Sequence, residues 1–244
     1  MKLFKSLVTG TVLSLAAGSS WAIDSLDATK LTDATFEAFT KDLGSALSYK
    51  AVSPAEPLGI TGFDIGVEAS FTSLEGIETW GSAIGDTDLD YLPFPKIHAH
   101  KGLPFGIDLG LVYSTLPMAD LSYIGGEVRY SFVSGNVAMP AIAVRGTYTQ
   151  LMGVDEVDLS TKGIELTVSK GFLMLTPYGG IGNVWTSGEL SYSEAGNTVS
   201  ASADPSQFKY FVGLNINMGL MNVVAEMDQT GDAKTFTGKL GFRF

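Results

Sequence analysis

The chain has 244 residues, of which 45% are hydrophobic and only 17% charged, with 29 glycines, a positive mean hydropathy and a formal charge of −11. The acid surplus argues against nucleic acid as a partner, and the lack of cysteine argues against a disulfide framework or a lipid-anchored amino terminus. Beyond residue 22 no apolar run reaches the ~18 residues of a membrane helix, so a membrane chain of this composition must cross with strands.

Met1-Lys2-Leu3-Phe4-Lys5 is basic, Ser6 to Ala17 is apolar, and Ser20-Trp21-Ala22 supplies small residues for cleavage. This predicts a signal peptide over 1–22, cut after Ala22. Residues 23–57 form a separate segment with a helix near 33–48, begun at Asp33, in which Phe36, Phe39, Leu43 and Leu47 recur at helical spacing. Glu37, Lys41 and Asp42 lie on its other faces, and Gly44 costs the helix about 1 kcal/mol against alanine. Two placements are open: packed against the periplasmic base of a barrel, or inserted into its lumen as a plug.

From residue 58 to 244 the period is two. Phe63, Ile65, Val67, Ala69 and Phe71 alternate with Asp64, Gly66, Glu68, Ser70 and Thr72. Phe105, Ile107, Leu109, Leu111 and Tyr113 repeat the pattern, as do Ile164, Leu166 and Val168, and Phe208 through Met218. Ten strands are predicted: 58–74, 92–101, 104–116, 121–134, 138–151, 158–170, 173–187, 206–218, 220–230 and 234–244. The fold class this implies is all-β, an antiparallel up-and-down transmembrane barrel preceded by a short amphipathic helix. With both termini in the periplasm, the short turns after even strands are periplasmic, and 75–91 and 188–205 are the long external loops. Gly135-Asn136 and Gly219 suit the tight turns because they tolerate positive φ. The second loop, rich in Ser, Gly, Ala and Asn, reads as mobile.

The polar parity faces the lumen and supplies its candidate residues: Asp64, Glu68, Asp108, Glu127, Arg129, Arg145, Glu165, Lys209, Glu226, Lys239 and Arg243. Acids and bases nearly balance, which suits ionic pairing across the lumen better than a ring of one sign. His98 and His100 share a strand face near the periplasmic rim and read as lumen-wall or interfacial side chains rather than metal ligands, because lysines flank them and no further ligands are evident. Asp86, Asp88 and Asp90 begin like a calcium-binding loop, but Tyr91 stands where that loop needs glycine, so a solvated acidic loop is expected. Gly179-Gly180-Ile181-Gly182 lies within a strand with no helix after it and reads as lumen clearance or a bend. No cofactor, metal or enzymatic constellation is expected.

Leu240, Phe242 and the terminal Phe244 share the apolar parity of the last strand. A strand ending on an aromatic in this way resembles the assembly signal of bacterial outer-membrane β-barrels, although the glycines at 238 and 241 depart from the usual final octet. The resemblance implies an outer-membrane location, with membrane lipid, lipopolysaccharide and the barrel assembly machinery as partners. Two functional expectations remain: a narrow, porin-like channel for an unidentified small solute, gated by the amino-terminal helix, or a closed barrel displaying the loops 75–91 and 188–205.

Overall fold

The computed structural model describes residues 27–85, 90–116, 121–194 and 197–244. The predicted signal peptide and residues 86–89 of the acidic loop lie outside them.

After a short 3-10 turn comes helix α1 (Asp33–Leu47). A segment without regular structure follows, and strand β1 (Phe63–Ser73) begins the sheet. The remaining strands are β2 (Tyr91–Gly102), β3 (Ile107–Leu116), β4 (Leu121–Ser134), β5 (Ala141–Met152), β6 (Val157–Ser169), β7 (Leu175–Glu194), β8 (Asn197–Ala203), β9 (Ser206–Met218), β10 (Met221–Thr230) and β11 (Ala233–Arg243). A single-turn helix α2 (Ile77–Trp80) lies between β1 and β2. No described helix is long and apolar enough to cross a membrane.

Ten strands close a barrel. Each pairs antiparallel with the next, β7 passes to β9, and β11 returns to β1 with Ile65 opposite Phe242 and Phe71 opposite Phe236. Reciprocal backbone bonds between Phe63 and Phe244 extend this seam by one rung. The alternation then explains itself as burial. In β6 Asp158, Lys162, Ile164, Leu166 and Val168 are exposed, while Leu159, Thr161, Glu165, Thr167 and Ser169 are buried. Across the sheet most large apolar side chains point out and most ionic ones point in, apart from an inward apolar cluster near one rim. This inverts a soluble protein and is the arrangement a bilayer demands, since only a closed sheet satisfies every ladder bond internally.

Four corrections to the sequence reading follow. Strand β3 begins at Ile107 rather than residue 104, because Phe105 sits in a 3-10 turn with φ of 64°, where its alternation with Ile107 is coincidental. The region 188–205 is not a free loop. Strand β7 runs on to Glu194 and pairs with β8, Gly188 opposite Ala203, so that β8 and β9 form one wall interrupted at Asp204 and Pro205. Helix α1 is not merely two-faced: Thr40, Asp42, Gly44 and Ser45 are buried along with its apolar stripe. Finally, the two ends of the described chain lie at opposite rims.

That last point rests on the connections. The turns after β2, β4, β6 and β9 are short, with Gly135 and Gly219 at φ of 75° and 71°, and mark the periplasmic side. Asp27 instead donates its N–H to Ala83 and Lys30 its Nζ to Ser82, both in the long β1–β2 connection at the external rim. From there α1 descends inside the barrel. A lone cysteine at Thr29, in a chain that otherwise has none, is therefore expected to react on intact cells with a bulky membrane-impermeant thiol reagent, as one at Glu78 would. Labelling of Glu78→Cys with protection of Thr29→Cys would refute this path.

Candidate functional site

The lumen is the one place where the wall, α1 and the ionic side chains converge, and it has two storeys. The external storey is apolar. Leu31, Phe36, Phe39, Leu43, Ala46 and Leu47 pack against inward residues of the wall and loop, among them Leu74, Trp80, Phe94, Tyr123, Leu159 and Leu190. Phe39 meets Trp80 edge-on with centroids 5.2 Å apart. Asp42 fastens the loop to the helix, accepting from the backbone N–H groups of Glu75 (3.2 Å) and Gly76 (2.8 Å) and from Trp80 Nε1 (2.8 Å). Gly44, unfavourable for helix propensity, is required by packing: a Cβ there would lie 2.3 Å from Thr186 Oγ1 of β7.

The periplasmic storey is ionic, and residues 48–57 run through it as an extended strap. Lys50 Nζ donates to Asp228 Oδ1 (3.1 Å), Ser48 Oγ (3.0 Å), Thr235 Oγ1 (3.2 Å) and the Ser45 carbonyl (2.9 Å). Glu226 accepts the backbone N–H groups of Ala51 (3.2 Å) and Val52 (2.8 Å) together with the Tyr178 hydroxyl (2.7 Å). Lys209 bridges the Tyr49 carbonyl (2.6 Å) and Glu165 (2.7 Å). Arg129 holds Asp108 at 2.6 Å while donating to Ser53 Oγ (2.6 Å) and the Pro54 carbonyl (2.9 Å). Lower still, Ser131 and Ser169 bond the Ala55 carbonyl and N–H, and Asp108 accepts from the Leu58 N–H. The strap thus takes the place of an extra strand whose partners are side chains.

The wall closes the rest of the network. Arg145 lies between Glu127 (3.1 Å) and Glu165 (3.4 Å), and Lys239 pairs with Asp64 (2.9 Å). His98 stands between Asp64 (3.1 Å) and Glu68 (2.7 Å), with Lys96 3.9 Å from Glu68. His100 Nε2 faces both the Tyr49 hydroxyl (3.0 Å) and Glu127 (3.3 Å). Asp64, Glu68, Asp108, Glu127, Arg129, Arg145, Glu165, Lys209, Glu226 and Lys239 are all buried in this network, and Arg243 is partly buried at its lower edge.

Sequence reasoning missed Lys50, Lys96 and Asp228 as members. Lys96 shares parity with His98, and Asp228 with Glu226, so both were within reach of the alternation. Lys50 carries no such signal. Gly180 and Gly182 leave room on the wall for the Phe211 ring and for Glu165. Leu240, Phe242 and Phe244 are exposed on the outer face of β11. Phe36, Phe39, Leu43 and Leu47 are the helix side chains that fill the external storey.

A closed antiparallel barrel with a largely apolar exterior and an ionic interior is the fold of a transmembrane β-barrel of the outer-membrane type, and that is the fold class to which the chain belongs. No protein-family model matches it, and no curated protein matches at a significant level. Among solved structures it is similar to the translocator domain of the autotransporter NalP from Neisseria meningitidis, with 9% identity over 82% of this chain and 90% of that one and a TM-score of 0.43. It is also similar to the amino-terminal β-barrel domain of OprF from Pseudomonas aeruginosa, with 11% identity over 74% and 97% of the two chains and a TM-score of 0.36. A third similarity is to the KdgM porin, with 7% identity over 74% and 99% and a TM-score of 0.38.

Proposed function

We propose that the protein is a sealed outer-membrane barrel, closed by its own amino-terminal segment, whose external face is built from α2, the start of α1 and the β7–β8 hairpin. One observation carries the reading: α1 and the strap together occupy the lumen from the external rim down to Leu58. Expelling α1 would expose the four large apolar side chains Phe36, Phe39, Leu43 and Leu47, each worth about 1.5–3 kcal/mol when fully buried. The described parts of the regions 75–91 and 188–205, expected as displayed loops, act in this reading as packed walls around α1 instead of free binding loops.

A second reading keeps the narrow channel. It is favoured by the contrast between storeys. The strap has no regular structure and is held mainly by polar contacts, with only the small clusters around Ala51, Val52 and Ala55 adding apolar ones, so it can leave while α1 stays seated. In that case the strap, and not the helix, is the gate for a small solute.

Planar-bilayer recording tests both. The chain from Ile23 is expected to be silent, and a version beginning at Leu58, refolded to the compact form that resists detergent unless heated, is expected to give stable current steps. Steady conductance from the intact chain would overturn the sealed reading. Silence from both folded forms would assign the seal to the wall charges alone.

A further inference from the structure

The periplasmic turns carry a surface opposite in character to ordinary turns. Each has a large apolar side chain at its tip: Phe105 after β2, Val137 after β4, Leu173 after β6 and Leu220 after β9, with Ile60 just before β1. Phe105, Val137 and Leu173 are more than nine-tenths exposed. Phe105 and Leu173 also hold φ of 64° and 54°, a conformation that glycine adopts easily and bulky residues rarely do. Water would penalise the exposed apolar tips.

Many polar groups of the same turns are bonded within the protein. Lys170 Nζ reaches across from the end of β6 to the carbonyls of Asn136 (2.7 Å), Val137 (2.7 Å) and Met139 (3.3 Å). Asn136 Oδ1 accepts from the N–H groups of Ala138 (2.8 Å) and Met139 (2.9 Å). Lys101 Nζ donates to the carbonyls of Ile60 and Gly62. The Met174 carbonyl accepts from the Asn217 N–H, and that of Leu220 from the Arg243 N–H, each at 2.8 Å. Residues 58–62, 102–106, 135–140, 170–174 and 219–220 contain no acidic side chain, although the chain has 26 acids.

The turns are also continuous with the lipid-facing belt. Exposed apolar residues run along β9 as Phe208, Tyr210, Val212, Leu214 and Met218, with Ile216 half-buried, and along β11 as Phe236, Leu240, Phe242 and, just past its end, Phe244. From Phe208 to Met218 a tilted strand climbs on the order of 25 Å, the height of the apolar band of such barrels. The band therefore ends at the turns themselves.

We propose that this ring of turn tips is a membrane-docking surface, inserted into the inner leaflet of the bilayer. Internally bonded backbone is what such a depth requires, and exposed apolar tips are what it rewards.

Because the chain has no cysteine, single nitroxide labels at Leu173→Cys and Val137→Cys can be placed in the full mature chain without other changes. The protein is reconstituted into phosphatidylethanolamine–phosphatidylglycerol vesicles, and collision with oxygen is compared with collision with a water-soluble nickel complex. Labels at Leu214→Cys and Glu78→Cys supply the lipid and water references and show that the barrel has inserted. The proposal expects ratios at 173 and 137 several-fold above that at 78 and approaching that at 214. A water-like ratio at either position overturns the docking ring, and since only lipid and this protein are present, a lipid-like ratio cannot come from another protein.

Discussion

With the strap as the gate, Lys50→Glu is expected to convert a silent barrel into a conducting one. Lys50 and Asp228 are fully buried and 3.1 Å apart, and removing one partner of such a pair typically costs about 3–5 kcal/mol. Reversing the charge does more, because the new carboxylate faces Asp228 directly, with Glu226 on the same wall. The strap should then leave the lower lumen while α1, held by apolar contacts, remains. Planar-bilayer recording of this variant should show current steps absent from the parent chain. Lys50→Glu combined with Asp228→Lys restores the pair with its sense reversed and should restore silence. Silence of the single variant, with the barrel folded, would mean that the strap does not control the lumen.

Phe36→Ala is expected to unseat α1 without opening the wall. Phe36 is fully buried and stacks beside Phe39 with ring centroids 6.1 Å apart. Truncating a buried phenylalanine costs about 3–5 kcal/mol, which includes the cavity left behind. At about 1.4 kcal/mol per tenfold change, the open population of α1 should rise by about two to three and a half orders of magnitude. Hydrogen exchange is the direct measure: amides of residues 36–47 should exchange faster by that factor, while those of β4 to β6 remain protected. Equal acceleration of helix and strands would show plug and barrel to be one cooperative unit. No change would contradict the apolar storey as the anchor of α1.

The strands were legible because each one is a boundary between two solvents. Every residue of β9 chooses lipid or lumen, so Phe208, Tyr210, Val212, Leu214, Ile216 and Met218 write the strand almost to its observed ends, Ser206–Met218. The same logic gave the ionic lumen list, since a charge such as Arg145 has only one side of the sheet open to it. Turn chemistry was legible at Gly135 and Gly219 for a local reason, their backbone conformation. Phe105 shows the limit, since alternation alone cannot tell a strand residue from a turn residue of the same parity.

What the chain alone determined, then, is what each residue decides with its immediate neighbours: strand period, wall polarity and turn position. Tertiary structure decided the rest. An amphipathic helix over Asp33–Leu47 has the same sequence whether it covers the base of a barrel or fills its lumen, and only the inward face of the closed wall selects the second. Asp42 becomes a fastener because Gly76 and Trp80 come to it, and β8, made of small residues suited equally to loop or strand, becomes wall because α1 stands behind it. Lys50 finds Asp228 across 178 positions of sequence. That pairing exists only once ten strands have closed around the strap, because closure brings the two charges together and removes the water that would otherwise have solvated each alone.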